Sequence, residues 1–210
     1  SQEAGLFEEA FSLSLETDTP DAEIHYTLNG DMPASEYRQI YKEPLVISRT
    51  TILRVAAFKK DHKAEQAETR TYLFLDDVLQ QSPQGDPPSG WPEGDVNDQR
   101  LDYGMDPEIV GGMHPMEEVK AALQALPALS IVAPLESLFD EDTGIYVNAY
   151  GRGRDWERAA SVELLNTDGS PGFQANGGMR MRGGFSRSGN NPKHGFRIIF
   201  RKEYGYGKLK

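Results

Sequence analysis

The sequence predicts a mainly β protein, in which an N-terminal β-sandwich is followed by a truncated α+β domain with one helix and an antiparallel sheet. Three observations support this prediction. Short stretches of alternating apolar and polar residues recur between residues 11 and 74, with turn sequences between them. A stretch rich in Pro, Gly and acidic residues follows, with neither a strand nor a helix period. The remaining residues contain one amphipathic helix pattern and further alternating stretches.

The first predicted domain covers residues 1–76. Its clearest turn is Asn29-Gly30, a dipeptide preferred in tight β-hairpins, which follows an alternating stretch. The number and spacing of the strands predict an immunoglobulin-like sandwich. His25 is interpreted as an outward-facing strand residue, because a metal site needs several clustered ligands, and Tyr26 and Tyr41 fit either sugar stacking or core packing. The predicted strands cover residues 11–15, 23–28, 45–47, 51–58 and 69–74.

The second predicted segment, residues 77–112, is an acidic connector. Residues 77–126 contain ten Asp or Glu and two Lys or Arg, and the connector is dense in Pro and Gly. Trp91 and Tyr103 indicate that it packs against a neighbouring domain, because aromatic residues are scarce in disordered segments. Its acidic residues do not follow the order of an EF-hand loop. Solvated acidic loops are therefore favoured over a structural calcium site, and no metal ligands are predicted.

The third predicted segment, residues 113–210, forms the α+β domain. Its helix is predicted at residues 114–126, with Pro115 in the first turn and two glutamates that complement the N-terminal dipole. The helix carries one apolar stripe, which we expect to be buried in the core. Strands are predicted at residues 128–133, 145–148, 159–165, 179–182 and 196–201.

The positive charge of the chain is concentrated at its C-terminal end. The protein has a formal net charge of -11, yet residues 180–210 hold nine Lys or Arg and a single acid, Glu203. A loop rich in Gly, Ser and Asn joins two alternating stretches in this segment. Glycines let backbone N–H groups approach an anion, and Arg side chains hold phosphate oxygens in pairs. The phosphate-binding candidates are Arg180, Arg182, Ser186, Arg187, Lys193 and Arg197.

An alternative interpretation of the same segment is a solvated hairpin with a basic outer face. No known nucleotide fingerprint occurs there, and the stretch from Gly184 to Ser188 departs from the hydrolase motif Gly-x-Ser-x-Gly at its last position. Residues 151–156 form a further turn rich in Gly and Arg that is compatible with phosphate. A single Gly-x-Gly is weak evidence for such a site.

The composition excludes several functions. With no Cys, the chain has no disulfide framework, thiolate zinc site or cysteine nucleophile. No apolar run approaches the roughly 18 to 20 residues of a membrane span, and the acidic balance argues against nucleic-acid binding by the whole protein. There is no Ser/His/Asp pattern, and nothing in the sequence sets the carboxylate separation that glycoside cleavage needs.

Four stretches of the first predicted domain form a recognisable pattern, at residues 22–33, 40–48, 51–58 and 71–74. On these stretches, residues 1–76 resemble the chitobiase C-terminal, fibronectin-type-III-associated module. Such modules stand beside carbohydrate-active and other extracytoplasmic domains and act as spacers or supports. This resemblance implies a non-catalytic scaffold at a cell or polysaccharide surface, in an extracytoplasmic protein whose signal peptide lies outside this chain.

A second set of stretches runs in order through residues 127–210. They are residues 129–132, 142–148, 156–163, 168–169, 173–187, 192–193, 196–197 and 203–205. Together they resemble the N-terminal part of the CotH family, spore-coat-type proteins regarded as atypical protein kinases. The resemblance implies the phosphate-binding N-lobe of a kinase, which in a full-length parent uses ATP with Mg²⁺ and acts on a protein substrate.

Two departures from the CotH pattern bear on activity. The family tends to have Lys-Lys-Ser-Phe-Arg where this chain has Lys193-His-Gly-Phe-Arg197. The chain also ends at Lys210, before the part in which such a kinase would place its catalytic Asp and its Mg-binding residues. We therefore expect a fragment of a longer protein that is inactive without the C-terminal remainder of its parent chain, with catalytic residues unknown.

Overall fold

The computed structural model describes residues 2–34, 38–60, 67–81 and 84–205. The protein is mainly β, with 33% of its residues in strands and 13% in helices, which confirms the predicted fold class. Two parts of the sequence predictions lie outside the described residues. They are the end of the basic segment, residues 206–210, and residues 82 and 83 of the connector.

The strands and helices follow the alternating and amphipathic patterns of the sequence. The helices are α1 (Leu75–Leu79), α2 (Met116–Gln124) and α3 (Leu135–Phe139), with short 3-10 helices at Arg154–Trp156 and Phe185–Arg187. The strands are β1 (Gly5–Phe7), β2 (Phe11–Leu13), β3 (Glu23–Thr27), β4 (Gln39–Ile40), β5 (Leu45–Ile47), β6 (Thr51–Phe58), β7 (Glu68–Phe74), β8 (Ala128–Val132), β9 (Arg158–Leu165), β10 (Gln174–Arg182) and β11 (Gly195–Ile199).

The first seven strands form the predicted immunoglobulin-like sandwich. One sheet has the strand order β1-β7-β6-β3-β4, and the other pairs β2 with β5. β1 runs parallel to β7, whereas the other pairs are antiparallel. Because side chains alternate across each strand, one face of each sheet supplies the core. The core cluster consists of Leu13, Tyr26, Ile47, Leu53, Tyr72 and Phe74.

Three side chains of the sandwich clarify the sequence predictions. His25 lies on the outer face of β3, opposite its core-facing neighbour Tyr26, as expected. It is nevertheless only 8% exposed, because its ring stacks on Phe58 at a centroid distance of 4.4 Å. Tyr26 is also buried, and its hydroxyl donates to Gln39 at 2.9 Å. Tyr41 packs against the core cluster. Core packing, rather than sugar stacking, therefore accounts for both tyrosines.

Strands β8 to β11 form a four-stranded sheet with the order β11-β10-β9-β8. β10 and β11 are antiparallel and pair in register from Gly178 with Ile199 to Arg182 with Gly195. This confirms the predicted strand, loop and strand of the basic segment. β10 begins at Gln174, five residues before the predicted start at Met179.

Residues 145–148 do not form the predicted strand. Their alternating burial is present, since Ile145 and Val147 are each 1% exposed. The backbone bonds, however, are not those of a strand pair: the Asn148 N–H donates to the Gly144 carbonyl within a turn at 3.1 Å, and the Ile145 N–H donates to the Ser137 carbonyl in α3 at 3.0 Å. Alternating burial therefore arises here without a neighbouring strand.

Helix α2 lies within the predicted helix of residues 114–126, but its apolar stripe is not buried as expected. None of its described residues is fully buried, and Leu126 beyond its end is 64% exposed. Polar contacts hold it instead: Lys120 pairs with Asp76 at 2.9 Å, and Gln124 donates to Glu8 at 2.9 Å.

No helix of the described residues is long and apolar enough to cross a membrane.

The chain divides into two compact units, each built from three separate segments. Unit 1 consists of residues 1–78, 117–132 and 162–174, and unit 2 of residues 79–116, 133–161 and 175–210. The predicted boundaries after residues 76 and 112 describe contiguous domains, and they stay a prediction. In unit 2 the connector is packed, as expected, since the Trp91 ring contacts Tyr103 and Phe139 at centroid distances of 5.6 and 5.0 Å.

Candidate phosphate-binding site

The hairpin of β10 and β11 places three of the predicted arginines on one face. Arg180 and Arg197 are directly opposite each other in the antiparallel register, so their side chains leave the sheet on the same side. Arg182 follows Arg180 by two residues and shares that face. Met179 and Met181 point the other way and are 1% and 5% exposed. The alternation of Met and Arg in the sequence thus separates a buried face from a basic face.

A cavity of about 230 Å³ opens beside this basic face. The turn from Gly151 to Gly153 lines it together with the end of β10, so the two Gly- and Arg-rich stretches of the sequence come together in unit 2. We call it the arginine cleft. It is lined by Gly151, Arg152, Gly153, Arg180, Met181, Arg182, Gly183, Arg187 and Arg197.

Arg187 forms the rigid floor of the arginine cleft. It is 5% exposed, and all its bonds go to backbone carbonyls: Nε donates to Gly183 at 2.7 Å, Nη2 to Met181 at 2.7 Å, and Nη1 to Ala149 at 2.6 Å and Gly151 at 2.8 Å. Burial lowers its pKa from the ordinary value, and the charges of neighbouring arginines act in the same direction. The side chain therefore ties the Gly-Arg turn to β10 and has few donors left for a ligand.

Glu157 neutralises Arg180. The Glu157 side chain is 1% exposed and accepts bonds from Arg180 Nε at 2.6 Å, Arg201 Nε at 2.9 Å and the Tyr204 hydroxyl at 3.0 Å. Burial opposes ionisation, but the bonds from Arg201, Arg180 and Tyr204 outweigh it and lower the pKa of Glu157 to about 2. Gly178 makes room for this carboxylate, since a Cβ there would lie 2.5 Å from Glu157 Oε1.

The remaining arginines of the cleft are available to an anion. Arg152, Arg182 and Arg197 are exposed, and among the residues that the structure describes none of their guanidinium groups has a hydrogen-bond or ion-pair partner. Like charges close together repel one another, so an anion that binds all three relieves this repulsion. Arg forks bind phosphate oxygens in pairs, and this set suits a compact, multiply charged phosphate.

The structure does not bring Ser186 and Lys193 to the cleft lining. The Ser186 carbonyl lies 2.8 Å from His194 Nδ1, and Lys193 is an exposed residue of the β10–β11 loop. His194 itself is buried, with Nε2 2.8 Å from Gln99 Oε1. Tyr146 packs on the His194 ring. These contacts hold the β10–β11 loop in place, and the Ser186 carbonyl is one of the groups that hold it. Neither Ser186 nor Lys193 lines the cleft.

Sequence reasoning missed two residues that decide the charge of the site. Glu157 follows Trp156 and carries no motif, and its role depends on a partner 23 residues away in the chain, Arg180. Arg152 lies in the Gly-Arg turn, which was considered compatible with phosphate, but the sequence does not place that turn beside β10. No group of three or more His, Cys, Asp or Glu residues suited to a metal ion occurs within the described ranges.

Comparison with known protein families bears on the sandwich. Residues 2–69 match the model of the chitobiase/beta-hexosaminidase C-terminal domain. This confirms the first predicted resemblance, and the match lies within the predicted domain of residues 1–76. The comparison gives no support for the CotH resemblance of residues 127–210. No curated protein and no solved structure matches the chain significantly.

Proposed function

We propose that unit 2 binds the phosphate groups of a nucleotide in the arginine cleft, as the phosphate-binding N-lobe of a CotH-type protein would. The observation that carries this proposal is the set of three exposed guanidinium groups, Arg152, Arg182 and Arg197, which line one cavity without partners among the described residues. The chain is not catalytic alone under this proposal. It supplies charge neutralisation and positioning, which make up most of the protein's contribution to phosphoryl transfer.

The details of the cleft support a phosphate ligand. Arg187 holds the Gly151–Gly153 turn against β10 through carbonyl contacts, so the arginines are positioned before a ligand arrives. Gly153 has φ 86° and Gly183 has φ 108°, backbone conformations that favour glycine and leave the cleft rim free of side chains. ATP with Mg²⁺ is the proposed nucleotide, and the C-terminal remainder of the parent chain would supply the catalytic groups and the protein substrate site.

The test is calorimetric titration of the chain with Mg-ATP and with pyrophosphate, at low and moderate ionic strength. We expect saturable binding that weakens at the higher ionic strength. Arg182→Ala and Arg197→Ala should each weaken it by about 10- to 100-fold, because each removes charge-assisted hydrogen bonds. Arg100→Ala is the matched control, since Arg100 is exposed in the same unit outside the cleft. Binding that is absent, or equally strong in the two cleft variants, would refute the proposal.

A second proposal concerns the sandwich. The match of residues 2–69 to the chitobiase/beta-hexosaminidase C-terminal domain favours a non-catalytic, carbohydrate-associated module in an extracytoplasmic protein. Tyr26 and Tyr41 are occupied by core packing, so the module would act as a support for its neighbour rather than as a sugar platform. Tyr41→Ala, which removes the ring, should therefore leave retention of the chain on insoluble chitin or cellulose unchanged, with folding of the variant checked by its melting temperature. Loss of retention in this variant would assign direct sugar binding to the sandwich.

A further inference from the structure

A second cavity in unit 2, of about 510 Å³, has a chemistry unlike that of the arginine cleft. It shares Gly151 with the cleft, but neither Lys nor Arg is among its lining residues. Its volume falls within the usual range of small-molecule sites. We call it the amide pocket. It is lined by Asn97, Asp98, Gln99, Val147, Asn148, Ala149, Tyr150, Gly151, Trp156 and Gly189.

The rim of the amide pocket is a well-anchored two-residue hairpin turn, closed by paired backbone bonds between Val96 and Gln99. Asn97 and Asp98 have φ values of 49° and 58°, the left-handed region that residues with a Cβ seldom adopt. The Asn97 side-chain amide donates to the Glu141 carbonyl at 2.7 Å and to Asn148 Oδ1 at 3.1 Å, which fixes the turn to the opposite wall. Asn and Asp are favoured at the central positions of such a turn, and the Asn97 side-chain bonds hold it in place before a ligand binds.

The turn is also tied to the β10–β11 loop. The Arg100 N–H donates to the Gly189 carbonyl at 2.9 Å. A Cβ at Gly189 would overlap the Asp98 carbonyl, so glycine is required for this close approach. The pocket wall is therefore held from two sides before any ligand binds, which lowers the entropy cost of binding.

Two aromatic rings accompany the polar groups of the amide pocket. Tyr150 is 63% exposed, and among the described residues its ring and hydroxyl have no partner. Trp156 is half-buried and packs on Gly151, where a Cβ would overlap the ring. Such residues combine an apolar face with a polar edge, so they suit ligands that have both.

We infer that the amide pocket binds a neutral saccharide. Asp98 is exposed with a carboxylate that has no partner among the described residues, and it offers acceptors to ligand hydroxyls. Asn97 Oδ1 adds a further acceptor, and Tyr150 provides an apolar face for a sugar ring. The lack of a cation in the lining and the carboxylate of Asp98 disfavour a phosphate or other anion. This inference is independent of the phosphate proposal, since it uses different side chains.

The test is a titration of the full chain with chitotetraose and cellotetraose, followed by calorimetry and by tryptophan fluorescence. We expect saturable binding of at least one of them, with a fluorescence change that is absent in Trp156→Phe. Tyr150→Ala and Asp98→Asn should each weaken binding about tenfold, whereas Tyr150→Phe should retain most of it because the ring remains. The matched controls are Phe185→Ala, which removes a 94% exposed ring outside the pocket, and Asp142→Asn, which removes an exposed carboxylate.

Three results would overturn the inference. The first is that neither tetrasaccharide binds. The second is that sugar binds equally well to Tyr150→Ala and Asp98→Asn, both with unchanged melting temperatures. The third is that Tyr150→Ala weakens Mg-ATP binding but not sugar binding, which would make the pocket part of a nucleotide site. Failure of the phosphate proposal is distinguishable, because it is measured with pyrophosphate and with Arg182→Ala.

Discussion

Replacing Glu163 by Gln should change how the stability of the protein depends on pH. Glu163 belongs to β9 and is 2% exposed. Its Oε2 accepts a hydrogen bond from the Thr71 hydroxyl at 2.6 Å, and the Ser130 hydroxyl lies 2.7 Å from the same Thr71 oxygen. Its Oε1 is buried with no hydrogen-bond partner among the described residues. A carboxylate in this environment is poorly solvated, so the protonated form is favoured.

The magnitude follows from the pKa of Glu163. Burial raises this pKa from 4.5 to about 7; the Thr71 hydrogen bond and the charge of Arg70 oppose the rise, and the charge of Glu68 adds to it. Between pH 4.5 and 7 the folded protein keeps a proton that the unfolded chain has lost, so the free energy of unfolding falls as pH rises through this window. A difference of about 2.5 pKa units corresponds to about 3 kcal/mol. Above pH 7 this contribution is constant.

Urea denaturation at pH 5, 6, 7 and 8 measures the effect. Glu163→Gln carries no titratable group at this position, so its free energy of unfolding relative to the wild type should rise by about 2.5 kcal/mol from pH 5 to pH 8. The comparison removes the contribution of every other carboxylate. Glu16→Gln, at an exposed position of the same unit, serves as the control for the loss of one carboxylate.

A pH-independent difference between Glu163→Gln and the wild type would refute the reasoning. It would mean that Glu163 titrates near its ordinary value, and hence that water or a cation reaches its carboxylate. A trend of opposite sign would mean that the ionised form is the better stabilised one. Thr71→Val separates these cases, because loss of its hydroxyl removes a bond that lowers the pKa of Glu163.

Three further predictions concern Arg187 in the arginine cleft and the Glu157 carboxylate that pairs with Arg180. In acid denaturation the wild type should lose stability as pH falls from 4.5 towards 2, because the pKa of Glu157 is lowered to about 2 and its ionised form stabilises the fold. Glu157→Gln should lack this contribution to the acid loss. It should also be about 3 kcal/mol less stable than the wild type at pH 7, since it leaves two arginines without their partner. Arg187→Lys should lower the free energy of unfolding by about 2 kcal/mol in urea, because an ammonium cannot bond to four carbonyls in the guanidinium geometry; it should also weaken pyrophosphate binding, and unchanged values of both would contradict the role assigned to the side chain. Gly178→Ala should lower the free energy of unfolding by about 1 to 3 kcal/mol through its clash with Glu157, and this should appear as a lower melting temperature. Gly94→Ala, where a Cβ meets nothing within 4 Å, should leave the melting temperature unchanged.

Much of the fold could be predicted because local pattern and final environment agree. β6 covers residues 51–58 as predicted, since its alternation matches a strand with one buried face. The short strands β1 and β4 were not predicted, because neither Gly5–Phe7 nor Gln39–Ile40 shows an alternation of apolar and polar residues. Residues 145–148 alternate without forming a strand, because Ile145 and Val147 are buried by tertiary contacts on a turn. Periodicity therefore indicates which side chains are buried, whereas the hydrogen-bond partners of the backbone determine whether the segment is a strand.

The arginines that the hairpin contributes to the candidate site could be predicted from the sequence, but which of them is paired with a carboxylate could not. The sequence identifies Arg180, Arg182 and Arg197 equally, since all three lie on alternating positions of the hairpin. Only the fold shows that Glu157, a buried carboxylate just before β9, neutralises Arg180. Within the described part of the chain, the charges of Arg182 and Arg197 stay uncompensated. Arg187 differs for another reason: its four carbonyl partners come from segments separated by up to 38 residues. Such coordination leaves no local pattern in the sequence.

The pairing of Arg180, but not of Arg182 and Arg197, with a carboxylate of the described residues also limits the kind of anion that the cleft can bind. The basic segment as a whole suggests an extended cationic surface, which would favour a long polyanion. Glu157 interrupts that surface, because it takes Arg180 and Arg201 into one buried cluster. The unpartnered guanidinium groups of the described hairpin then meet at one end, where Arg182 and Arg197 face the Gly151–Gly153 turn across the cleft. A compact ligand with two or three charged phosphate groups matches this arrangement, whereas an extended polyanion would leave most of its charge beyond the cleft.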